Sequence, residues 1–428
     1  MDLEKKSTDA KNFSRRDFLK AAGATAAGLA VTSVAKSPVY AVAPARVIGA
    51  NDRINIGHIG VGGMGGGHVN MVKEQPAEVN VKSIAVCDVF DKRALANANH
   101  AGLPASMAFR DYKKVLEIKG LDAVIIGTPE HWHAPIAIAA MEQGIHCYIE
   151  KPMCRTLKET EQLLETAKRT KCVVQVGSQG CSDAKWHTAG EQIKKGKIGK
   201  VVLSQGGYCR NNPSGEWNYG IDGDAKPGVN LDWDAWLGKT GKKIAWNPEH
   251  YFRWRKYRRY SAGILSDLFP HRLHPLMIAC GADYPTQVMT VGSIIATPDR
   301  DVADTTQCLV QFPNGSQMIL IGSTVNETGP EDLIRGTKAD IYFGGGKVQI
   351  RPQRPFVDEI DQEDVEIVGP GENQSEHQRN WFHCIRTGET PNCNIDLAAK
   401  VQTVVCLAEM AWLQGKTMNF DPVKKRIK

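Results

Sequence analysis

Three groups of residues in this 428-residue sequence have the types and spacing to do chemistry. Glu150-Lys151-Pro152 follows the apolar run at 146–149, so a proline-stiffened turn sets an ammonium just beyond a strand end. Asp267, His271 and His274 are spaced by four and three, which puts them on one face of a helix expected from Gly263 to about Ala279. An imidazole titrates near neutral pH and is suited to take the proton of an alcohol. Lys151 could hold that hydroxyl and stabilise a developing alkoxide, and Asp267, one turn before His271, could orient the ring. The same three residues would also serve as a hydrogen-bonded helix face, or as three ligands of a metal ion. No fourth ligand is evident nearby, and no metal is expected. The third group is the stretch from His250 to Tyr260, where aromatic rings alternate with arginines. Such a surface suits the C–H faces and hydroxyls of a sugar, and equally a subunit interface. Arg255 and Tyr260 from it, with Arg210 and His187, are candidates to line a substrate pocket.

A redox partner for this chemistry is written earlier in the chain. Ile54, Ile56 and Ile59 form a buried strand pattern, and Gly60, Gly62 and Gly65 then fall on G-x-G-x-x-G, with Gly63 and Met64 between them. The first glycine allows the turn, the second lets backbone approach a pyrophosphate, and the third lets helix pack on strand. A glycine-rich turn without a ligand is the alternative. A second strand pattern, 81–88, ends in Asp88, roughly 20 residues on, where an acid takes ribose hydroxyls. With no arginine adjacent to it, that carboxylate favours NAD over NADP.

Strand and helix patterns alternate through 53–176. Strands are expected at 54–59, 81–88, 122–127, 146–150 and 172–176, and helices near 91–100, 111–118, 134–143 and 156–170. This implies a parallel, doubly wound sheet. Asp88, Thr128 and Glu150-Lys151 all lie just past a strand, where ligands of such sheets bind. After a helix near 184–195 and a strand at 201–210 comes a long aromatic segment, 211–261. Strand patterns then run in succession near 287–296, 305–312, 316–325, 339–343 and 346–351, which implies a mostly antiparallel sheet. Amphipathic helices follow near 375–387 and 395–414. The expected organisation is a targeting segment at 1–43, a dinucleotide-binding domain at 50–176, and an α+β substrate domain at 177–428 whose last helices could return to the first.

Ser14-Arg15-Arg16-Asp17-Phe18-Leu19-Lys20 is a twin-arginine motif before an Ala/Gly-rich stretch, so export in the folded state, to the periplasm or beyond, is expected. Seven Lys/Arg against four Asp/Glu in the first 43 residues supply half of the net charge of +6, which leaves no reason to invoke nucleic acid. No membrane association is expected beyond the signal segment. Eleven scattered cysteines without a C-x-x-C pair read as neither a disulfide framework nor a zinc site.

The motifs GVGGMG (60–65), TPEHWHAPIAIAAMEQGIHCYIEKP (128–152) and GILSDLFPH (263–271), in this order, resemble the glucose–fructose oxidoreductase / inositol dehydrogenase / MocA family over roughly 50–420. The resemblance implies that Lys151 and His271 lie by the nicotinamide C4 and a substrate hydroxyl, with Asp267 contacting substrate. It also implies cofactor contacts for His133 and a homodimer or homotetramer. The family usually has Asp where this chain has His274, which is therefore assigned to the substrate. Trp132 and the twin-arginine signal resemble exported members acting on glycosides and amino sugars. The leading expectation is NAD-dependent oxidation or reduction at a secondary hydroxyl of a sugar or glycoside. An exported enzyme has no obvious pool of free NAD, so a glycosidase or lyase that recycles bound NAD through a transient keto-sugar is the second reading. A sugar–sugar oxidoreductase and a non-catalytic sugar-binding protein remain as others.

Overall fold

Ile54, Ile56 and Ile59 stand on β1 (Ile54–Ile59), and the chain turns at Gly60 into α1 (Gly63–Lys73). The fold is that of a computed structural model, which describes residue 49 and residues 52–428; the twin-arginine segment lies outside these. In chain order there follow β2 (Val81–Cys87), α2 (Asp91–His100), β3 (Ala108–Phe109), α3 (Tyr112–Leu116), β4 (Ala123–Ile126), α4 (Glu130–Met141), β5 (His146–Glu150), α5 (Leu157–Thr170) and β6 (Val174–Gly177). Thr156 and Glu159 start α5 with a reciprocal pair of side-chain caps, which fixes where helix replaces loop. The six strands are parallel, in the order β3-β2-β1-β4-β5-β6. The order reverses between β1 and β4, and the crevice beyond their carboxyl ends is where such sheets hold ligands.

The second half begins with α6 (Ala184–Lys194) and β7 (Val201–Asn211) and then enters the aromatic segment, which holds α7 (Trp233–Leu237) and α8 (Pro248–Phe252). After α9 (Ile264–Asp267) and α10 (Pro270–Cys280) come β8 (Gln287–Ser293), β9 (Thr305–Gln311), β10 (Gln317–Ser323), β11 (Val325–Asn326), β12 (Leu333–Gly336), β13 (Ala339–Gly344), β14 (Lys347–Pro352) and β15 (Glu363–Glu366). The chain ends with α11 (Gln374–Thr387), α12 (Ile395–Gln414), β16 (Met418–Asp421) and β17 (Arg426–Ile427). Among the described residues the second sheet runs β15-β14-β13-β12-β7-β10-β9-β8-β16-β17, with β11 on β7; β7 and β10 are its parallel pair. Buried residues of β7–β10 pack on α10 and α12, while the opposite face carries no helix of this chain's described residues.

Two departures from the sequence expectation have physical causes. The helix expected from Gly263 to Ala279 is broken at Leu268-Phe269, because Pro270 has no N–H to continue the ladder. Strands β12, β15, β16 and β17, each of two to four residues, are too short to show an alternation.

The halves are interlocked. Trp381, Phe382 and Ile385 of α11 pack with Ile54, Ile56, Ile125 and Tyr148, so the last part of the chain covers one face of the first sheet. Val176 N–H donates to the Cys393 carbonyl at 2.9 Å, which closes the β6 edge. The aromatic segment is tied to the start of α2: Asp232 N–H reaches Val89 O and Asp91 N–H reaches Asn230 O, each at 2.9 Å. Lys92 joins Asp222 and Asp224 at 2.8 and 2.7 Å.

A Cβ on Gly65 would stand 1.8 Å from the Gly60 carbonyl oxygen, backbone against backbone. Gly65→Ala is therefore expected to force β1 and α1 apart and to destabilise the fold by about 2–4 kcal/mol, read as a lowered urea midpoint. The control Gly63→Ala, where nothing lies within 4 Å of the new methyl, should keep the wild-type midpoint within error.

Candidate active site

The glycine loop forms one wall of the crevice. Gly60 has φ 80°, and a Cβ there would meet the Thr128 backbone nitrogen at 2.6 Å, so the turns after β1 and β4 touch. α1 starts without a side-chain cap, and space around Gly63 is open. Its first N–H groups thus lack side-chain partners and suit an anion. Asp88 is buried, with its oxygens accepting from Val61 N–H at 3.1 Å and Phe90 N–H at 3.0 Å. Burial raises its pKa, while the nearby Arg93 guanidinium acts against that. Arg93 lies five residues along the sequence yet returns to within 3.3 Å of where a Gly62 Cβ would be. The rings of Tyr251 and Phe252 hold it, each with its centre 5.3 Å from the guanidinium. An open uncapped helix start, a cradle without Cβ atoms and an acid at the next strand end fit a dinucleotide.

Lys151 and Asp267 form the centre. Lys151 Nζ donates to Asp267 Oδ1 at 2.7 Å and to the Asp267 carbonyl at 2.8 Å. The helix break makes the second bond possible, since His271 N–H turns to Leu268 O and no longer competes for that carbonyl. Arg255 Nε reaches Oδ1 at 2.9 Å, and Trp217 Nε1 reaches Oδ2 at 3.0 Å. Lys151 and Asp267 side chains are only 11% and 7% exposed. Burial opposes ionisation of Asp267, but the charges of Arg255 and Lys151 outweigh it and hold the carboxyl well below the usual range. Trp217 is held at φ 65°, a strained conformation for a non-glycine residue, with its ring under the Arg300 guanidinium.

His271 lies beside this pair. Burial, then the Lys151 charge, push its pKa well below 6.5, so the ring is neutral. Its Nδ1 is buried without a partner, and Tyr208 lies against the ring with centroids 5.1 Å apart. Arg210 stacks on Tyr208, hydrogen-bonds its hydroxyl at 3.2 Å, and pairs with Glu216 at 2.9 Å. Glu150 sits behind Lys151, accepting its backbone N–H at 3.2 Å. The structure thus brings Lys151, Glu150, Asp267, His271, Arg255 and Arg210 together, on the same crevice edge as Gly60–Gly65, Asp88 and Thr128.

Four assigned residues are placed differently. Tyr260 is fully buried among Trp236, His131 and His250, so it is core and not pocket wall. His274 is buried on the inner side of α10, bonded through Nδ1 to Pro270 O at 2.9 Å and facing Cys393, so it does not join the substrate face. His133 has both ring nitrogens on carbonyls, of Pro152 at 2.7 Å and Thr128 at 2.8 Å; it clamps two strand ends and leaves no nitrogen for a cofactor. His187 Nε2 is taken by the Cys181 carbonyl at 2.7 Å. Conversely, Trp217, Glu216, Tyr208 and Arg93 escape a reading of the sequence. Glu216-Trp217 lies in the aromatic segment, and that aromatic density was the only available signal.

The sequence matches two profiles of one family. Residues 54–178 match its "Oxidoreductase family, NAD-binding Rossmann fold" and residues 218–428 its "Oxidoreductase family, C-terminal alpha/beta domain". Residues 12–32 match a twin-arginine translocation signal, so the chain carries the signal for export by that route. A glycosyl hydrolase family 109 protein of Shewanella baltica (strain OS185) is 38% identical over 178 residues, covering 37% of this chain and 38% of that protein. The matched region thus spans well under half of the curated relatives. Among solved structures, levoglucosan dehydrogenase with NADH and L-sorbose aligns over 86% of this chain and 98% of its own, with TM-score 0.65 and 19% identity. Aldose-aldose oxidoreductase from Caulobacter crescentus aligns over 86% and 100%, with TM-score 0.64 and 17% identity.

The buried histidines make stability depend on pH. Burial lowers His58 to about 3 and both His131 and His146 to about 4, while burial raises Glu130 to about 7. Between pH of about 4.5 and 6.5 the unfolded chain carries three histidine protons that the folded chain lacks, and lacks one Glu130 proton that the folded chain keeps. The unfolded state binds more protons, so stability should rise with pH through this window. Urea midpoints at pH 5, 6 and 7 should increase in that order. Glu130→Gln, which removes the opposing group, should steepen the trend.

Proposed function

The chain belongs to the glucose–fructose oxidoreductase / inositol dehydrogenase / MocA family of NAD-binding oxidoreductases, and from that premise we propose that it oxidises or reduces a secondary hydroxyl of a sugar or glycoside. Residues 50–176 act as the dinucleotide-binding domain and 177–428 as the substrate domain. The observation that carries the reading is the neutral His271 beside the buried Lys151–Asp267 pair.

NAD, when bound, supplies the hydride acceptor. With Nδ1 of His271 buried, Nε2 is the nitrogen we assign to the hydroxyl proton. Its low proton affinity in the ground state comes from burial and Lys151, and the ionised Asp267 stands ready to stabilise the imidazolium once formed. Lys151, anchored by two bonds to Asp267, keeps one direction for its third N–H and offers it to the substrate oxygen as negative charge develops. Arg255 and Arg210, each fixed by a carboxylate, orient the other hydroxyls. Tyr208 supplies an aromatic face, while Trp217, itself buried, holds the Asp267 carboxylate in place.

A second reading, internal recycling of the cofactor, is favoured by the export signal and by the name of the curated relatives. Oxidation acidifies the neighbouring C–H, a glycosidic bond is eliminated or hydrolysed, and reduction returns the hydride. Protein denatured after purification should release NAD(H) in about one equivalent per chain. Net gain of absorbance at 340 nm with sugar marks a dehydrogenase, whereas cleavage of a glycoside without it marks recycling. His271→Ala and Lys151→Met should each lower kcat by about 10²–10⁴-fold with NAD still bound. Unchanged sugar binding with no turnover in the wild type would overturn the enzymatic reading.

We also propose self-association through the helix-free face of the second sheet. Met289, Leu309 and Ile319 stand opposite one another across β8, β9 and β10, and Val291 and Ile321 flank Gln307 in the next row. This apolar ladder suits a second copy of itself. Light scattering should give a dimer or tetramer, and Val291→Lys with Ile319→Lys should give monomers.

A further inference from the structure

His68 takes no part in the chemistry above, yet it stands on α1 three residues after Gly65 and is fully buried. Its Nε2 lies 2.7 Å from Glu150 Oε1, and its Nδ1 lies 2.6 Å from the side-chain amide nitrogen of Gln378 on α11. Tyr148 meets the ring edge-on at 5.2 Å. The Gln378 amide donates to Nδ1, which leaves the hydrogen on Nε2 to be donated to Glu150. The other carboxylate oxygen takes the backbone N–H of Lys151 at 3.2 Å. On the far side, a Cβ at Gly177 would fall 2.6 Å from Oε1, so the end of β6 leaves room for this carboxylate and nothing more. Burial alone would drive a proton onto Glu150; the bond from His68 and the charge of Lys151 overcome this and hold the carboxyl below its ordinary value. A continuous run of side chains thus joins α11, the helix of the glycine loop, and the lysine pinned to Asp267.

We propose that His68 is a positioning residue of the reaction centre, acting through Glu150: it fixes that carboxylate behind Lys151 and so sets both the lysine's placement and the negative charge beside the nicotinamide site. The inference rests on the dinucleotide reading above. A fixed carboxylate favours the cationic oxidised ring over the neutral reduced one, because only the former is attracted to it. Losing the donor on His68 releases Glu150 to take a proton or to swing away, and that preference goes with it.

The test needs no sugar. Dissociation constants for NAD⁺ and for NADH are measured by fluorescence titration of the full chain. His68→Leu, which keeps bulk and loses the donor, should shift their ratio at least 5-fold towards NADH. His68→Gln, whose amide N–H can replace Nε2–H, should stay within 2-fold of the wild type. Glu150→Gln should reproduce the Leu shift, and the double variant should add nothing to it. A folded His68→Leu protein with the wild-type ratio overturns the proposal. Should that variant fail to fold, Glu150→Gln decides: an unmoved ratio overturns the proposal and a 5-fold shift upholds it. A wild type that binds neither nucleotide overturns the dinucleotide reading itself, which is a different failure from tight binding with an indifferent ratio.

Discussion

The carboxylate of Asp267 is the point on which the crevice hangs. It receives Lys151 from the end of β5, Arg255 from the aromatic segment and Trp217 from the loop after β7. Four parts of the chain, more than 100 residues apart at the extremes, meet at two oxygens. Burying an ion pair seldom adds stability, because desolvation offsets the attraction, but removing one partner costs about 3–5 kcal/mol. Such a pair is a weak reason for a fold to exist and a strong constraint on which arrangement the fold adopts.

That constraint sets the protonation of its neighbour. Burial and then the Lys151 charge disfavour a proton on His271, and they outweigh the pull of the Asp267 carboxylate. A histidine in water would be partly charged at neutral pH. Here burial and Lys151 hold it neutral, which is the state a general base requires. Lys151 gains from the same geometry. The broken helix after Asp267 hands it a backbone carbonyl as well as a carboxylate, so its ammonium has a fixed orientation that a flexible surface lysine would lack.

Much of this could be read from the sequence, and what could not has a common cause. The parallel sheet was legible because its strands are buried on both faces and separated by helices with their own period, and because the glycines at 60, 62 and 65 have few alternative uses. Lys151 could be picked out from the proline that follows it, and Asp267 and His271 from their four-residue spacing, although the helix breaks between them. The contrast is with Arg93, Glu216 and Trp217, whose positions depend on partners across the crevice: Arg93 on Tyr251 and Phe252, Glu216 on Arg210, Trp217 on Asp267. Nothing in their sequence neighbourhoods encodes those partners. His274 and Tyr260 erred in the opposite direction. Side chains of the right chemistry were assigned to a pocket, when the rotation of α10 and the packing around Trp236 turn them inward.

Trp381 and Cys393 close what Ile54 opens. One face of the first sheet is only partly covered, by α1, until α11 arrives, and β6 has an unbonded edge until the Val176–Cys393 bond forms. During synthesis on a ribosome, the first 180 residues therefore emerge as an incomplete layer that must wait for about 200 more. Completion is a late and long-range event, slow by its loop-closure entropy. A transport route that accepts chains only after folding accommodates such a delay, whereas threading the chain unfolded would separate the two ends that have to meet.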